Sequence, residues 1–326
     1  MDKSEEERWI EFETCRLDEE EDEHANVAVD LFADPDPYVT IPFTFEVPFS
    51  CCNTNDDDDD LDDDDNHHDA STSTTTKSTR EVAITLKGFK HEHERIFDST
   101  GLTLWRASKI LCDYLCNNTH LIKGKNVLEL GAGLGLCGLL TYHLNPARMV
   151  MTDGDTDVLV EMRYNVDSNL TSISKNNVVH SSQKNNENDE GNEEICKDNN
   201  MVEKPSEVLL PCKQLRWGHE YVDSFKKFVR SLESKNSSSK EETNEVDVSF
   251  DIIIASDIIY VDYILDDLFD TVVDLLSTSQ HAKFVLGYAR RAVDINQVFE
   301  CAERHGLKWT KPADQVEGIY IFSRSS

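Results

Sequence analysis

Nine residues, Val127-Leu128-Glu129-Leu130-Gly131-Ala132-Gly133-Leu134-Gly135, constrain this chain more than any others. The short apolar run at 126–130 predicts a buried strand, three glycines follow at alternate positions, and 136–144 reads as the apolar start of a helix. Glycine removes the Cβ, so the backbone can turn sharply and come close to a ligand. Strand, glycine loop and helix N-terminus together make a nucleotide-binding corner. The spacing is G-x-G-x-G rather than the G-x-G-x-x-G of dinucleotide enzymes, and Glu129 stands two residues before the first glycine. A carboxylate there would repel a pyrophosphate and suit a cationic amino-acid ligand, which favours S-adenosylmethionine over NAD.

The chain around this corner alternates strands and helices. Strands are expected at 126–130, 149–152, 207–211, 250–256 and 283–288, and helices at 106–115, 136–144, 157–170, 265–277 and 293–305. Continuous apolar strands between helices predict a parallel sheet covered on both faces. Two closing strands, 307–310 and 318–322, have no helix between them and predict an antiparallel pair at the sheet edge. Upstream, 38–47 reads as an edge strand, because Pro42 would break a central ladder, and 81–86 reads as its hairpin partner. The fold class is therefore α/β, Rossmann-like and mostly parallel with an antiparallel edge, plus a small N-terminal β-hairpin.

Polar tracts punctuate this pattern. An acidic disordered tail is expected over 1–25, an acidic low-complexity loop within 26–96 at 51–80, and disordered inserts at 171–206 and 231–246 of the 97–326 domain. The formal net charge is −32, and residues 1–70 hold 26 Asp and Glu against 3 Lys and Arg, leaving −9 for the other 256 residues. The acidity thus belongs to the N-terminal segment. It disfavours a nucleic-acid partner and would attract a basic protein. The run Asp56–Asp60 and Asp62–Asp65 lacks the glycine and final glutamate of an EF-hand loop, so no metal site is expected there. Nine cysteines show no zinc-like spacing and read as free thiols in a reducing compartment. The opening Met1-Asp2-Lys3-Ser4-Glu5 does not read as a signal peptide, and no apolar run is long enough to span a bilayer. A cytoplasmic protein is expected, with the nucleus as the alternative.

Four further motifs carry a resemblance. Gly101-Leu102-Thr103-Leu104-Trp105, the glycine corner, Thr152-Asp153, Leu215-Arg216-Trp217-Gly218 and Asp257-Ile258-Ile259-Tyr260 stand in this order. Together they resemble the seven-β-strand S-adenosylmethionine-dependent methyltransferases, and within them the protein lysine methyltransferases that act on elongation factors, calmodulin and the valosin-containing ATPase. The likeness spans about 80–326 without the two inserts. Leu134, where many relatives carry a small polar residue, and the acidic N-terminal insertion depart from the pattern.

The resemblance implies a seven-stranded methyltransferase sheet, S-adenosylmethionine as cofactor, a protein substrate and a monomer. Gly131, Ala132, Gly133 and Gly135 would cradle the methionine portion, and Glu129 would meet its amino group directly or through water. Asp153 would accept hydrogen bonds from the ribose hydroxyls, Trp217 would offer a face to the adenine, and Trp105 and Ser256 would wall the pocket. Asp155 is a further candidate, and Asn165 is expected to be a helix-surface amide. Asp257 would orient the acceptor amine and Tyr260 would line its slot; the alternative for Asp257 is a cap on its own strand-to-helix turn. Arg290 and Arg291 are either substrate anchors or surface residues. The implied activity is protein lysine methylation. Histidine or arginine in protein, a small molecule, RNA, or a non-catalytic cofactor-binding role are the alternatives. Asp257-Ile258-Ile259-Tyr260 in place of the D/N-P-P-Y of base methylases weighs against nucleic acid.

Overall fold

The central strand, β3 (Asn126–Leu130), alternates its side chains between two helical layers. Leu128 and Leu130 join a core with Val150, Ile253, Phe284 and Phe322, while Val127 and Glu129 face the other way. This computed structural model describes residues 38–49, 78–90, 99–181, 210–236, 248–289 and 293–325. The expected acidic tail, most of the loop and of both inserts, and Arg290 and Arg291 lie outside them, while 78–80 of the expected loop begin the second hairpin strand.

Beside β3 run β4 (Arg148–Asp153) and β5 (Cys212–Gln214) on one side, and β6 (Ile252–Ser256) and β7 (Lys283–Gly287) on the other, all parallel. Strand β9 (Ile319–Arg324) returns antiparallel along β7, and β8 (Leu307–Thr310) pairs antiparallel with β9 at the edge. The order across the sheet is β5-β4-β3-β6-β7-β9-β8. It differs from the doubly wound dinucleotide-binding order in that the last strand is inserted antiparallel before the penultimate one.

Helices cover both faces. One layer is α1 (Arg106–Asn117), α2 (Leu136–His143) and α3 (Thr156–Ser181); the other is α4 (His219–Asn236), α5 (Leu265–Leu275) and α6 (Ile295–Arg304). Three expectations change here. The third strand is β5, just beyond 207–211, with the Pro211 carbonyl accepting from Met151 N–H ahead of it. Helix α3 continues to Ser181, into the stretch read as an insert, because adding a residue to an existing helix costs far less than starting one. Helix α4 was not expected, although Val222, Phe225 and Val229 bury one face at helical spacing and the helix runs past 231 to Asn236.

Outside the α1–α3 layer lies the hairpin, β1 (Tyr38–Phe49) with β2 (Ser78–Phe89), antiparallel along twelve pairs. A lone hairpin is marginal in water. This one buries Phe43, Phe45 and Val47 with Val82, Ile84 and Leu86 against the helices, while the alternate residues face out. Thr85 faces Pro42, which has no N–H, at a pair whose backbone groups point away from each other, so the Thr85 amide and carbonyl turn to the outer edge. There, Asn169 Oδ1 accepts from Thr85 N–H at 2.9 Å and Nδ2 donates to Thr85 O at 2.8 Å. Two residues along, Asn165 does the same for Lys87, at 2.8 and 3.0 Å. Spaced four apart on α3, these side chains act as a surrogate strand and close the edge. Asn165 also donates to Leu134 O in the glycine corner at 3.1 Å and is 1% exposed. It is a buried staple, not the surface amide expected.

Replacing Asn165 by Ala strands a buried carbonyl and an amide, so Asn165→Ala should lose about 1–3 kcal/mol of stability. A urea midpoint lowered at unchanged slope is the expected reading; an unmoved midpoint would refute the staple.

Candidate active site

A cavity of about 470 Å³ opens at the carboxyl ends of β3, β4 and β6, where ligands of such sheets bind. Nine of the eleven residues expected in the site line it: Gly131, Ala132 and Gly133 after β3, Asp153 at the end of β4, Ser256, Asp257 and Tyr260 after β6, and Trp105 and Trp217 from flanking loops. Glu129 and Gly135 do not.

Gly131 adopts the left-handed φ of 60°. A Cβ on it would sit 2.5 Å from Ile258 Cγ2 and 3.6 Å from Trp217 Cζ2. Three separated motifs therefore meet at one missing side chain. Gly133, at φ 55°, lets its N–H reach Asp153 Oδ2 at 3.1 Å, and a Cβ there would press on the Gly101 carbonyl at 3.1 Å. Gly135 is the residue before α2, packed on Met151; it starts the helix and does not touch the ligand space.

Glu129 is corrected most. Strand alternation turns it with Val127 under α2, where it is 1% exposed and accepts from Gly138 N–H. Its Oε2 has no hydrogen-bond partner among the described residues. Burial, and then the neighbouring Cys137, push the carboxyl well above its usual range, while the Gly138 N–H pulls the other way. It is a buried acid packed behind the corner, outside the cavity lining.

Asp153 Oδ1 accepts from Asp155 N–H at 3.0 Å, and Oδ2 from Gly133. Burial raises its pKa, and these N–H bonds oppose the rise. An ionised carboxylate offers about four acceptor positions, so with Asp155, Gly133 and Gly154 as backbone donors it keeps capacity for a ligand. Asp155 caps α3 by accepting from Asp157 N–H at 2.8 Å and from the Ser99 hydroxyl at 2.7 Å.

Asp257, 6% exposed, sits at a left-handed φ of 53° directly after β6. Its Oδ2 accepts from Ala107 N–H at 2.9 Å and its Oδ1 from Ala289 N–H at 3.1 Å. It does cap a helix, but that helix is α1, across the cavity, and not the one following its own strand. Tyr260 is 51% exposed; burial of its inner part raises its pKa, opposed by a hydrogen bond with Thr100. Trp105 Nε1 donates to Thr100 O at 2.8 Å, which fixes the ring at the head of α1. Ser256 Oγ lies 2.9 Å from Ser108 Oγ. Ser108, Thr100 and Arg216 are lining residues that sequence reasoning passed over. Thr100 and Arg216 adjoin recognised motifs, whereas Ser108 carries no signal beyond its place on the first turn of α1.

Residues 89–202 match the family model described as lysine methyltransferase. Over that stretch the chain resembles the lysine methyltransferases. The protein N-terminal and lysine N-methyltransferase EFM7 of Yarrowia lipolytica is 44% identical over 69 residues, 21% of this chain and 25% of that protein. EFM7 of Candida glabrata is 28% identical over 211 residues, covering 64% of this chain and 63% of that one. The calmodulin-lysine N-methyltransferase of Arabidopsis thaliana is 30% identical over 86 residues, 26% and 28% of the two. The chain thus spans less than two thirds of the length of each of these relatives.

The lysine methyltransferase resemblance implies S-adenosylmethionine, and the lining fits it. Among the described residues, Asp153, Asp155 and Asp257 put three carboxylates on the cavity against one guanidinium, Arg216. That balance suits a cationic sulfonium and opposes a diphosphate. Trp217 supplies an aromatic surface beside Gly131, and the volume is of the size that small cofactors occupy.

A raised pKa means that folded Glu129 keeps a proton the unfolded chain has released. The stability this proton supports is complete below the unfolded value, about 4.3, and is lost as pH climbs through the raised one. Glu129→Gln stays neutral at every pH, so its urea midpoint should decline less steeply than the parent's as pH rises above about 4.3. Parallel profiles would disprove the raised pKa.

Proposed function

We propose that this chain is an S-adenosylmethionine-dependent protein N-methyltransferase acting on a lysine side chain of a non-histone protein such as a translation factor. The observation that carries this reading is the convergence at Gly131 of the glycine corner, Trp217 and the Asp257–Tyr260 segment in one cavity. The match of residues 89–202 to the lysine methyltransferase family supports it.

When bound, the cofactor supplies a methyl group on a positively charged sulfur. The chain's own residues must then deliver a neutral amine in line. A lysine with pKa near 10.4 is neutral about once in 2,500 molecules at pH 7, a deficit of roughly 4.6 kcal/mol. Desolvation between Tyr260 and Trp105 lowers that pKa, and the proton leaves to water. Asp257, fixed in place by the Ala107 and Ala289 N–H groups, lines the cavity beside Tyr260, where its carboxylate orients the amine. Tyr260, half in solvent, forms the wall at which an incoming side chain meets the cavity.

A second reading is an N-terminal α-amine as acceptor, favoured by the name of the EFM7 relatives. An α-amine is easier to deprotonate, with a pKa near 7.7–8.0. We also propose that the protein is a cytoplasmic monomer, in keeping with the free thiols of Cys112, Cys116, Cys137, Cys212 and Cys301.

Incubating the protein with methyl-labelled cofactor and an extract lacking it should label one protein band, and hydrolysis of that band should release methyl-lysine. Asp257→Asn should cut the rate at saturating cofactor about tenfold or more. Label found only in RNA or small molecules would sink the proposal; an α-N-methyl residue would select the second reading. The acidic tract at 53–70 is read as steering a basic substrate. Its deletion should flatten the dependence of the rate on ionic strength, and an unaltered dependence would refute steering.

A further inference from the structure

Away from the cavity, where α5 and α6 meet, lies a second cluster. Asp266, Cys301 and His305 each offer one ligand atom, all within 4.8 Å of one another. Cys301 and His305 are four residues apart at the end of α6, so they project from one helix face. Cys301 Sγ stands 3.3 Å from Asp266 Oδ1, and His305 Nε2 stands 3.7 Å from the same oxygen. The edges of a tetrahedron with metal–ligand bonds of about 2.0–2.3 Å are about 3.3–3.6 Å long. Two of the three edges, at 3.3 and 3.7 Å, are close to that figure, and the third lies within 4.8 Å.

The imidazole is oriented for the task. Its Nδ1 lies 2.8 Å from the Cys301 carbonyl oxygen, so that nitrogen carries its proton and Nε2 points at the carboxylates. Asp270 Oδ1 is 3.2 Å from Nε2 and 3.1 Å from His219 Nε2. His219 Nδ1 in turn meets Asp274 Oδ2 at 2.6 Å. Two carboxylate oxygens thus converge on one ring nitrogen, an arrangement that calls for positive charge between them. Arg304 Nη2, 3.1 Å from Asp266 Oδ1, supplies part of it from the outer side.

We propose that Asp266, Cys301 and His305 bind a Zn²⁺ ion, with Asp270 contributing a fourth oxygen. Thiolate and imidazole together favour a borderline metal over Mg²⁺ or Ca²⁺. The ion replaces the Cys301 thiol proton, which passes to solvent. Two carboxylates and one thiolate then balance Zn²⁺ and the Arg304 guanidinium, so the centre is neutral. Its role is structural. It pins the start of α5, two residues beyond the cavity-lining Ile264, to the end of α6. Cysteine spacing alone gave no sign of it, because only one ligand is a cysteine.

The test loads the full-length protein with Co²⁺ as a spectroscopic probe. One equivalent should bind with a near-ultraviolet sulfur-to-cobalt charge-transfer band that Zn²⁺ displaces and Cys301→Ser abolishes. Aspartates at 53–70 can bind cobalt only through oxygen and give no such band. Cys301 is buried, so Asp266→Asn, at a position with 67% side-chain exposure, is the second variant. It should keep the fold and weaken cobalt binding by about tenfold or more. Absence of the band, or a band unchanged in Asp266→Asn, would overturn the site.

Discussion

The buried carboxylate of Asp257 holds the cavity together. It takes the Ala107 N–H at the start of α1 with one oxygen and the Ala289 N–H beyond β7 with the other. Both are groups that would otherwise be left orphaned at a helix end or in a loop. The cost is a left-handed backbone at a residue with a side chain, about 1–2 kcal/mol, which aspartate tolerates better than most. In return, α1 is anchored with Trp105 and Ser108 over the cavity, opposite Trp217 and the glycine corner. A single acid thus serves architecture first, and whatever it does for an acceptor amine is done from a position already fixed.

Each layer of the molecule registers the next. The sheet presents its strand ends to the cavity, the α1–α3 layer supplies one wall, and the hairpin clamps that layer from outside. Asn165 links all three, bonding to Lys87 in the hairpin and Leu134 in the glycine corner from its place on α3. Displacement of the hairpin would therefore be felt at the loop that approaches the ligand, although no hairpin residue lines the cavity.

Local chemistry in this chain was readable and long-range pairing was not. Glycines at 131 and 133 declare their backbone need in the letters themselves, as do the apolar runs of β3 and β6. Val222, Phe225 and Val229 also announced α4, but the polar tract after them masked the period. Glu129 was misread by proximity: it is next to the corner in sequence, yet strand alternation sends it to the face opposite Leu128 and Leu130. The partners of Asp257 lie 150 and 32 residues away and are backbone amides, which no sequence marks. Asn165 looked like any surface amide because its value depends on the outward-facing edge of β2, 78 residues away in sequence.

The hairpin register has a consequence for how this protein can vary. Phe49 and Ser78 are the last pair of the ladder, so the segment from 50 to 77 leaves and re-enters at one point. Closing a loop costs little more as it lengthens, with each doubling adding only about 0.6 kcal/mol. The ladder therefore works as a socket. Segments of other lengths or charges could be exchanged there with the sheet, the cavity and the clamp left as they are, so this stretch of sequence can vary apart from the rest.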